Sequence, residues 1–390
     1  MPRIDPVVVG LLLLAFRTLA HAQPDAPRVR LTEDLRLDAT AEDFPRVTQV
    51  SVGPRRQVVV PIQTDQQLRI YDASGKRLAV FGRQGAGPGE FHHISFVGWS
   101  GDSIWVGDIR QRRTTFIGPD YKLIRTEIWP QGDRREGETG RIGSFDPLAL
   151  LPDGSWLGQA VIWSTSGSGY QSLMAVRSPS GAMRTVLTTS NDESDPRMMW
   201  VAGFGRGVPF SLQPQYSFAY NGSRFAGMTA PIPATESSFF TVTVFRGTGD
   251  TVFTRRYPFL GVPIPKRVVD SALAAMNPPG GRVSEGPADL NQRFQAMARE
   301  RMSSWYIPVE TITLGLDETI WVGMRLTDEG RPYLVLNSRG DPVASMLLPR
   351  SSRLRQATAS RIWVTETDDD GLTSVVRYRV IGLSCGAVTC

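Results

Sequence analysis

The chain has 390 residues, of which 41% are hydrophobic, and its 38 glycines and 28 prolines indicate many turns and few long helices. Lysines and arginines (43) exceed aspartates and glutamates (38) by only five, and no dense basic run is present, which argues against a nucleic-acid partner. This length allows either two domains or one large domain built from repeats.

Residues 1–22 have the pattern of a secretory signal peptide. Arg3 precedes an apolar run at 7–16, and small residues at 20–22 supply a cleavage site. The apolar run is too short for a stable membrane span, and no later segment approaches one. We therefore expect an exported protein, periplasmic or extracellular, which starts at Gln23 and has no integral membrane segment after cleavage.

The sequence contains six diverged copies of one phrase, in which a polar turn precedes a short apolar strand. Four copies contain tryptophan: DSIWVG at 102–107, DGSWLG at 153–158, DETIWVG at 317–323 and SRIWVT at 360–365. Two weaker copies are PRRQVVV at 54–60 and NGSRFAG at 221–227. One strand precedes each copy and two follow it, and four strands in roughly 40–50 residues are typical of a propeller blade.

These repeats predict an all-β fold, a six-bladed β-propeller with four-stranded antiparallel blades over residues 23–384. The sixth unit lacks its last strand, whereas residues 29–38 form an additional strand before the first unit. We expect this strand to pair into the last blade, because an open ring would leave an unpaired edge.

The stretch YDASGKRLAVFGRQGAGPGEF at 71–91 closely resembles the NHL-type repeat. The match is carried by Phe81, Gly82, Gly85, Gly87, Pro88, Gly89, Glu90 and Phe91. The whole chain is also similar to exported bacterial six-bladed propellers of NHL-like type, most of which have no assigned chemistry. The glycine-rich loop is then a connector between blades, with Phe91 in the seam. A phosphate-binding loop would need a Lys-Ser/Thr pair or a following helix, and neither is present.

Residues 260–305 interrupt the repeat. Leu290, Phe294 and Met297 share one helical face, so we predict a mostly helical insertion between blades four and five. Two placements stay open: a cap over one end of the propeller, or a decoration packed on an outer strand.

Nine tryptophans divide into two groups by their position in the repeat. Trp105, Trp156, Trp321 and Trp363 occupy the same strand position, which predicts packing between blades. The other tryptophans are better candidates for an exposed face: Trp99, Trp129, Trp163, Trp200 and Trp305.

The candidate ligand-face residues are His92, His93 and Trp200. Adjacent histidines on a strand point to opposite faces, so we expect one in the central channel and one in blade packing. Trp200 lies in the long connector 191–210, which either lines a binding mouth or is buried under the helical insertion.

The remaining chemical candidates are few. Cys385 and Cys390, in a short tail at 385–390, predict a disulfide in an oxidising compartment. Asp368, Asp369 and Asp370 fit either a calcium site or, as we favour, a solvated hairpin loop. We therefore predict no catalytic, metal-binding or cofactor-binding residues and no cofactor.

These features favour a secreted, non-catalytic propeller scaffold that binds a partner protein, peptide, glycan or small molecule through loops at one face. The alternative is an exported metal-dependent propeller enzyme, a lyase or a lactonase/esterase, with its site in the central channel. The scarcity of histidine and the lack of converging acidic residues favour the scaffold. A third hypothesis is a structural module in an envelope assembly.

Overall fold

The protein is described here by a computed structural model, which covers residues 26–129, 141–163, 170–189, 195–201, 204–219, 221–276 and 290–384. Six four-stranded antiparallel sheets form the blades of a six-bladed β-propeller. The predicted fold class is confirmed at this level. The predicted signal peptide at 1–22 and the predicted Cys385–Cys390 disulfide lie outside the described residues.

The first element of the described residues is the strand that closes the ring; the blades follow in order, each built from the central axis outward. The strand β1 (Arg30–Leu37) and the short helix α1 (Ala39–Glu42) come first. Blade 1 contains β2 (Ser51–Val52), β3 (Val58–Ile62), β4 (Gln67–Tyr71) and β5 (Arg77–Phe81). Blade 2 contains β6 (Ile94–Ser100), β7 (Ser103–Asp108), β8 (Arg113–Ile117) and β9 (Leu123–Ile128). Blade 3 contains β10 (Arg141–Leu150), β11 (Trp156–Trp163), β12 (Tyr170–Arg177) and β13 (Met183–Thr189).

The second half of the ring carries the additional elements. A hairpin of β14 (Met198–Val201) and β15 (Phe204–Gly207) precedes blade 4. Blade 4 contains β16 (Gln215–Phe218), β17 (Arg224–Thr229), β18 (Ser237–Arg246) and β19 (Thr251–Leu260). The next elements are β20 (Val262–Pro263), the helices α2 (Lys266–Ala275) and α3 (Leu290–Arg301), and β21 (Trp305–Tyr306). Blade 5 contains β22 (Val309–Leu314), β23 (Ile320–Met324), β24 (Arg331–Leu336) and β25 (Pro342–Leu348). Blade 6 contains β26 (Ser352–Ala357), β27 (Arg361–Thr367) and β28 (Thr373–Ile381), with β1 as its outer strand.

The ring closes as the repeat pattern predicts. Strand β1 pairs antiparallel with β28, from Arg30 opposite Ile381 to Leu37 opposite Val375. The register shifts at Asp34, which is the extra residue of a bulge. Residues from both ends of the described chain thus build one blade, and β1 completes its four strands.

The four tryptophans of the repeat lie on the second strands of their blades, as predicted. Trp105 on β7 and Trp156 on β11 meet edge to face, with their ring centroids 5.2 Å apart, so they pack blade 2 against blade 3. Trp321 on β23 is fully buried, and Trp363 on β27 is 5% exposed. These rings fill the space between neighbouring sheets, where large apolar surfaces stabilise the fold most.

Two of the remaining tryptophans are buried, so the prediction of an exposed face is wrong for them. Trp99 is only 1% exposed because its ring lies against Gly53 of the neighbouring blade, where an added Cβ would come within 2.6 Å of the ring. Trp129 is 5% exposed, and its indole N–H donates to the Thr114 hydroxyl at 2.8 Å. The side chain of Trp163 lies outside the described residues.

The hairpin β14–β15 and the helices α2 and α3 share a separate apolar cluster. Met199 of β14 is fully buried against Phe294 and Ala298 of α3 and Leu273 of α2. The Arg301 guanidinium of α3 donates to the Met198 carbonyl at 2.8 Å, which ties the helix to the hairpin. None of the helices in the described ranges has the length and apolar run that a membrane crossing requires.

The antiparallel blades give the propeller two structurally different ends. The turns between first and second strands and between third and fourth strands lie at one end, which we call the tight-turn end. The turns between second and third strands lie at the opposite end, with the segments that join successive blades; we call this the connector end. The glycine-rich loop and the hairpin β14–β15 join blades at the connector end.

Candidate functional site

The glycine-rich loop of residues 82–91 is a clamped connector between blades 1 and 2. The Arg113 guanidinium donates to the carbonyls of Ala86 (2.9 Å), Gly87 (2.7 Å) and Glu90 (2.6 Å). The Glu90 carboxylate accepts the Gly87 N–H at 2.8 Å and pairs with Arg83 at 2.6 Å. That N–H and the Arg83 guanidinium hold the pKa of Glu90 below its usual value. The polar groups of the loop thus bind within the loop and to β8, which supports the connector interpretation.

The end of this loop fills the seam between the two blades. Phe91 is fully buried, and its ring centroid lies 6.2 Å from that of Phe81. Gly82 has a φ of +94°, and a Cβ there would come within 2.6 Å of the Phe91 ring. A side chain at this position would both strain the backbone and displace the ring.

The predicted ligand-face residues all lie in segments at the connector end. His92 and His93 precede β6 rather than lying on a strand, so the expected alternation of their side chains does not apply. His92 is exposed, and its backbone N–H donates to the buried Asp108 carboxylate at 2.6 Å; His93 is half-buried. Trp200 on β14 is half-buried and lies over Gly205 of β15. None of the three lines either of the two cavities described next.

A central cavity of about 260 Å³ lies on the propeller axis, and the innermost strand of every blade contributes to its wall. One residue from each blade, in order from blade 1 to blade 6, illustrates the lining: Gln49, Gly98, Leu148, Ser217, Thr313 and Arg355. We call it the axial cavity.

Polar side chains of the axial cavity also bind the blades to one another. The Gln49 amide donates to the Val97 carbonyl at 3.1 Å, which joins blade 1 to blade 2. The Ser217 hydroxyl accepts the Leu314 N–H at 2.8 Å, which joins blade 4 to blade 5. These bonds fix the side chains that face the axis, so the cavity is a preformed site.

Arg355 is the one charged side chain in this lining among the described residues. The register of β26 shifts here, and such bulges re-aim side chains. Its Nε donates to the Thr365 hydroxyl at 2.9 Å. Burial lowers the pKa of Arg355, and the positive charges of Arg353 and Arg46 lower it further. A guanidinium in this environment favours a ligand that brings negative charge.

Tyr216 is a second polar group in the axial cavity. Burial raises the pKa of its phenol to about 12, opposed by the nearby charge of Arg197. The Tyr216 hydroxyl therefore stays protonated at neutral pH and can donate a hydrogen bond.

A second cavity, of about 460 Å³, opens between blade 6 and blade 1 at the tight-turn end. We call it the seam cavity. Gln356 lines both cavities, so one wall separates them. The lining of the seam cavity includes three arginines and one tryptophan: Arg56, Arg361, Arg377 and Trp363.

The acidic residues of the repeat have structural roles in turns. Asp153 accepts the Ser155 N–H at 2.9 Å, and Asp317 accepts the Thr319 hydroxyl at 2.7 Å. Asp368 caps the exposed turn between β27 and β28 by accepting the Leu372 N–H at 2.8 Å, so residues 368–370 lie in an exposed hairpin loop. In the described ranges, no three histidine, cysteine, aspartate or glutamate side chains are grouped so that they could hold a metal ion.

Comparisons with known proteins agree with this fold. No protein-family model and no curated protein matches the chain. A solved structure of a DUF4221 family member from Bacteroides vulgatus has a TM-score of 0.51 at 12% identity, over 91% of this chain and 98% of that one. A protein from Bacteroides fragilis, provisionally named as exported, has a TM-score of 0.46 at 12% identity, over 90% and 94% of the two chains. Regucalcin from Agrobacterium tumefaciens, a calcium-binding protein, has a TM-score of 0.38 at 13% identity, over 90% and 95%. At these identities the likeness is one of fold, and the chain is a six-bladed β-propeller.

Sequence reasoning missed the arginines of both cavities. Arg355 belongs to the segment RLRQAT, which the repeat pattern places as an innermost strand. The presence of an arginine on a strand that faces the axis could have identified Arg355 as a candidate site residue. The seam arginines come from blades at opposite ends of the chain, and no local pattern connects them.

Proposed function

We propose that this chain is an exported, non-catalytic propeller that binds a small acidic ligand in the axial cavity. The observation that carries the proposal is Arg355, a guanidinium aimed at the axis and without an acidic partner within ion-pair distance among the described residues. Arginine matches carboxylates in a planar, two-point geometry, and the neighbouring amides and hydroxyls can orient the rest of the ligand. The predicted signal peptide at 1–22 supports export.

The arrangement of the connector end supports ligand entry from the tight-turn end. We infer that residues 260–305 form a helical insertion between blades 4 and 5, and its helix α3 packs on the hairpin β14–β15 between blades 3 and 4. These elements add bulk at the connector end, whereas short turns surround the tight-turn end. His92, His93 and Trp200 remain predicted contacts for a partner at the connector end.

The test compares glucuronate with glucose, which have similar size and differ in the carboxylate. We expect glucuronate to raise the midpoint of thermal unfolding, because a ligand that binds only the native state stabilises it. Glucose should have no such effect. Arg355→Gln should abolish the shift, whereas Arg350→Gln, an exposed control just before the same strand, should keep it. An equal shift in both variants would disprove the role of Arg355.

A further inference from the structure

The seam cavity lies between two parts of the chain that are far apart in sequence. Blade 1 contributes the turn that carries Arg56 and a second turn at Ala73. Blade 6 contributes Arg361 and Trp363 from β27 and Arg377 from β28. The cavity therefore lies where the ring closes.

The strand register explains why an aromatic ring and two guanidiniums meet here. Arg361 and Trp363 are two residues apart on β27, so their side chains lie on the same face of the sheet. Arg377 lies directly opposite Trp363 on β28, and its guanidinium carbon is 5.3 Å from the Trp363 ring centroid. An apolar surface and positive charge thus occupy one wall.

One carboxylate forms ion pairs with several guanidinium groups at this wall. The carboxylate of Asp34, the bulge residue of β1, lies 2.6 Å from the Nε atom of Arg377. It lies 3.5 Å from the Nε of Arg361 and 4.0 Å from the Nε of Arg379. No other acid within 4.0 Å of Arg361 or Arg377 is found in the described part of the chain. Positive charge therefore remains in excess beside Asp34.

Arg56 adds to this excess from the opposite wall. It is exposed, with a φ of +62° in the turn between β2 and β3, and it forms no ion pair within 4.0 Å among the residues that the structure describes. Arg377 already contributes to closure, through Asp34 and through a 2.7 Å bond to the Ala73 carbonyl. Arg56 has no such role, and the side chain of Arg361 is 40% exposed, so both can receive a ligand.

We propose that the seam cavity is a second binding site, which takes an organic anion: a carboxylate or phosphate group on an apolar body. The acid group binds Arg56 and Arg361, because guanidinium groups recognise both acids through paired hydrogen bonds. The apolar body lies along Trp363, Pro54 and Leu316. A volume of about 460 Å³ is within the range of small-molecule sites.

The test uses 2-naphthoate and 2-naphthyl phosphate as anionic probes and 2-naphthamide as their neutral counterpart, with titration calorimetry on the full chain. We expect both anions to bind at least about tenfold more tightly than the amide, since charge-assisted hydrogen bonds differ from neutral ones by about this factor. Added salt should weaken the anions and leave the amide unchanged. A difference between the two anions identifies the preferred acid group.

Arg56→Gln should weaken anion binding about tenfold and leave amide binding unchanged. Arg55→Gln is the matched control, because Arg55 lies on the same turn but pairs with Asp102 at 3.2 Å, outside the cavity. Arg355→Gln should also leave naphthoate binding intact, which separates this site from the axial cavity. Equal binding of naphthoate and naphthamide, equal effects of the two turn variants, or no measurable binding would overturn the proposal.

Discussion

Phe91 offers the sharpest test of the interpretation that the glycine-rich segment is a structural connector. Its ring is fully buried in a cluster shared by blades 1 and 2, with Leu68 and Ile70 on one side and Ile104 and Val106 on the other. Removal of a fully buried phenylalanine ring costs the transfer free energy of the ring and leaves a cavity. We expect Phe91→Ala to lower the free energy of unfolding by about 3–5 kcal/mol.

Urea unfolding of the full chain, followed by tryptophan fluorescence, measures this loss. His92→Ala is the matched control, because the neighbouring side chain is exposed and its structural bond to Asp108 uses only the backbone N–H. The control should change the free energy by less than about 0.5 kcal/mol. If the two variants lose the same stability, Phe91 does not seal the seam and the connector interpretation is wrong.

Two further predictions concern the clamp and the axial cavity. Arg113→Lys should destabilise the protein by about 1–3 kcal/mol in the same urea assay, because one compact ammonium cannot reproduce the two separate guanidinium nitrogens that bind the loop carbonyls. The exposed Arg110→Lys should be neutral. Equal stability of the two variants would contradict the clamp. The free energy of unfolding should also fall as the pH rises from about 10 to about 12. The usual pKa of tyrosine is about 10, whereas the pKa of buried Tyr216 is about 12, so the unfolded chain loses the phenolic proton first. Tyr216→Phe should make this decline shallower, and an unchanged slope would show that the phenol is not held protonated by burial.

The fold could be predicted from the sequence because every blade has to meet the same packing requirement. Every unit needs a polar turn and then a strand with a large apolar side chain for the space between sheets, and Trp105 and Trp321 reveal this rule even after the sequences have diverged. The missing fourth strand of the last unit then requires an outside partner, and β1 supplies it. Because every other blade has four strands, closure follows from counting them.

Trp99 shows why burial outside the repeat was harder to predict. It lies on the innermost strand β6, and the ring is buried because Gly53 of blade 1 offers no side chain at the point of contact. That contact joins residues from different blades. Its formation depends on the angle between the blades, which the pattern of either segment alone does not contain.

The side chains that line the cavities were hard to predict for a related reason. Arg355 points to the axis because β26 bulges at that residue, and Asp34 reaches the seam arginines because β1 bulges as well. A bulge shifts the alternation of side chains by one residue, so a strict two-residue period assigns the following side chains to the wrong face. Sequence patterns identify these strands but not their irregularities.

Blade 6 connects closure of the ring with both candidate sites. It is assembled from β1 and the last three strands, and it supplies Arg355 to the axial cavity and Arg361 and Arg377 to the seam cavity. An anion held between Arg56 of blade 1 and Arg361 of blade 6 would bridge the seam at which the ring closes. Because such a ligand binds only the closed ring, its binding free energy adds to the stability of closure. Ligand binding and closure of the propeller are therefore thermodynamically coupled in this proposal.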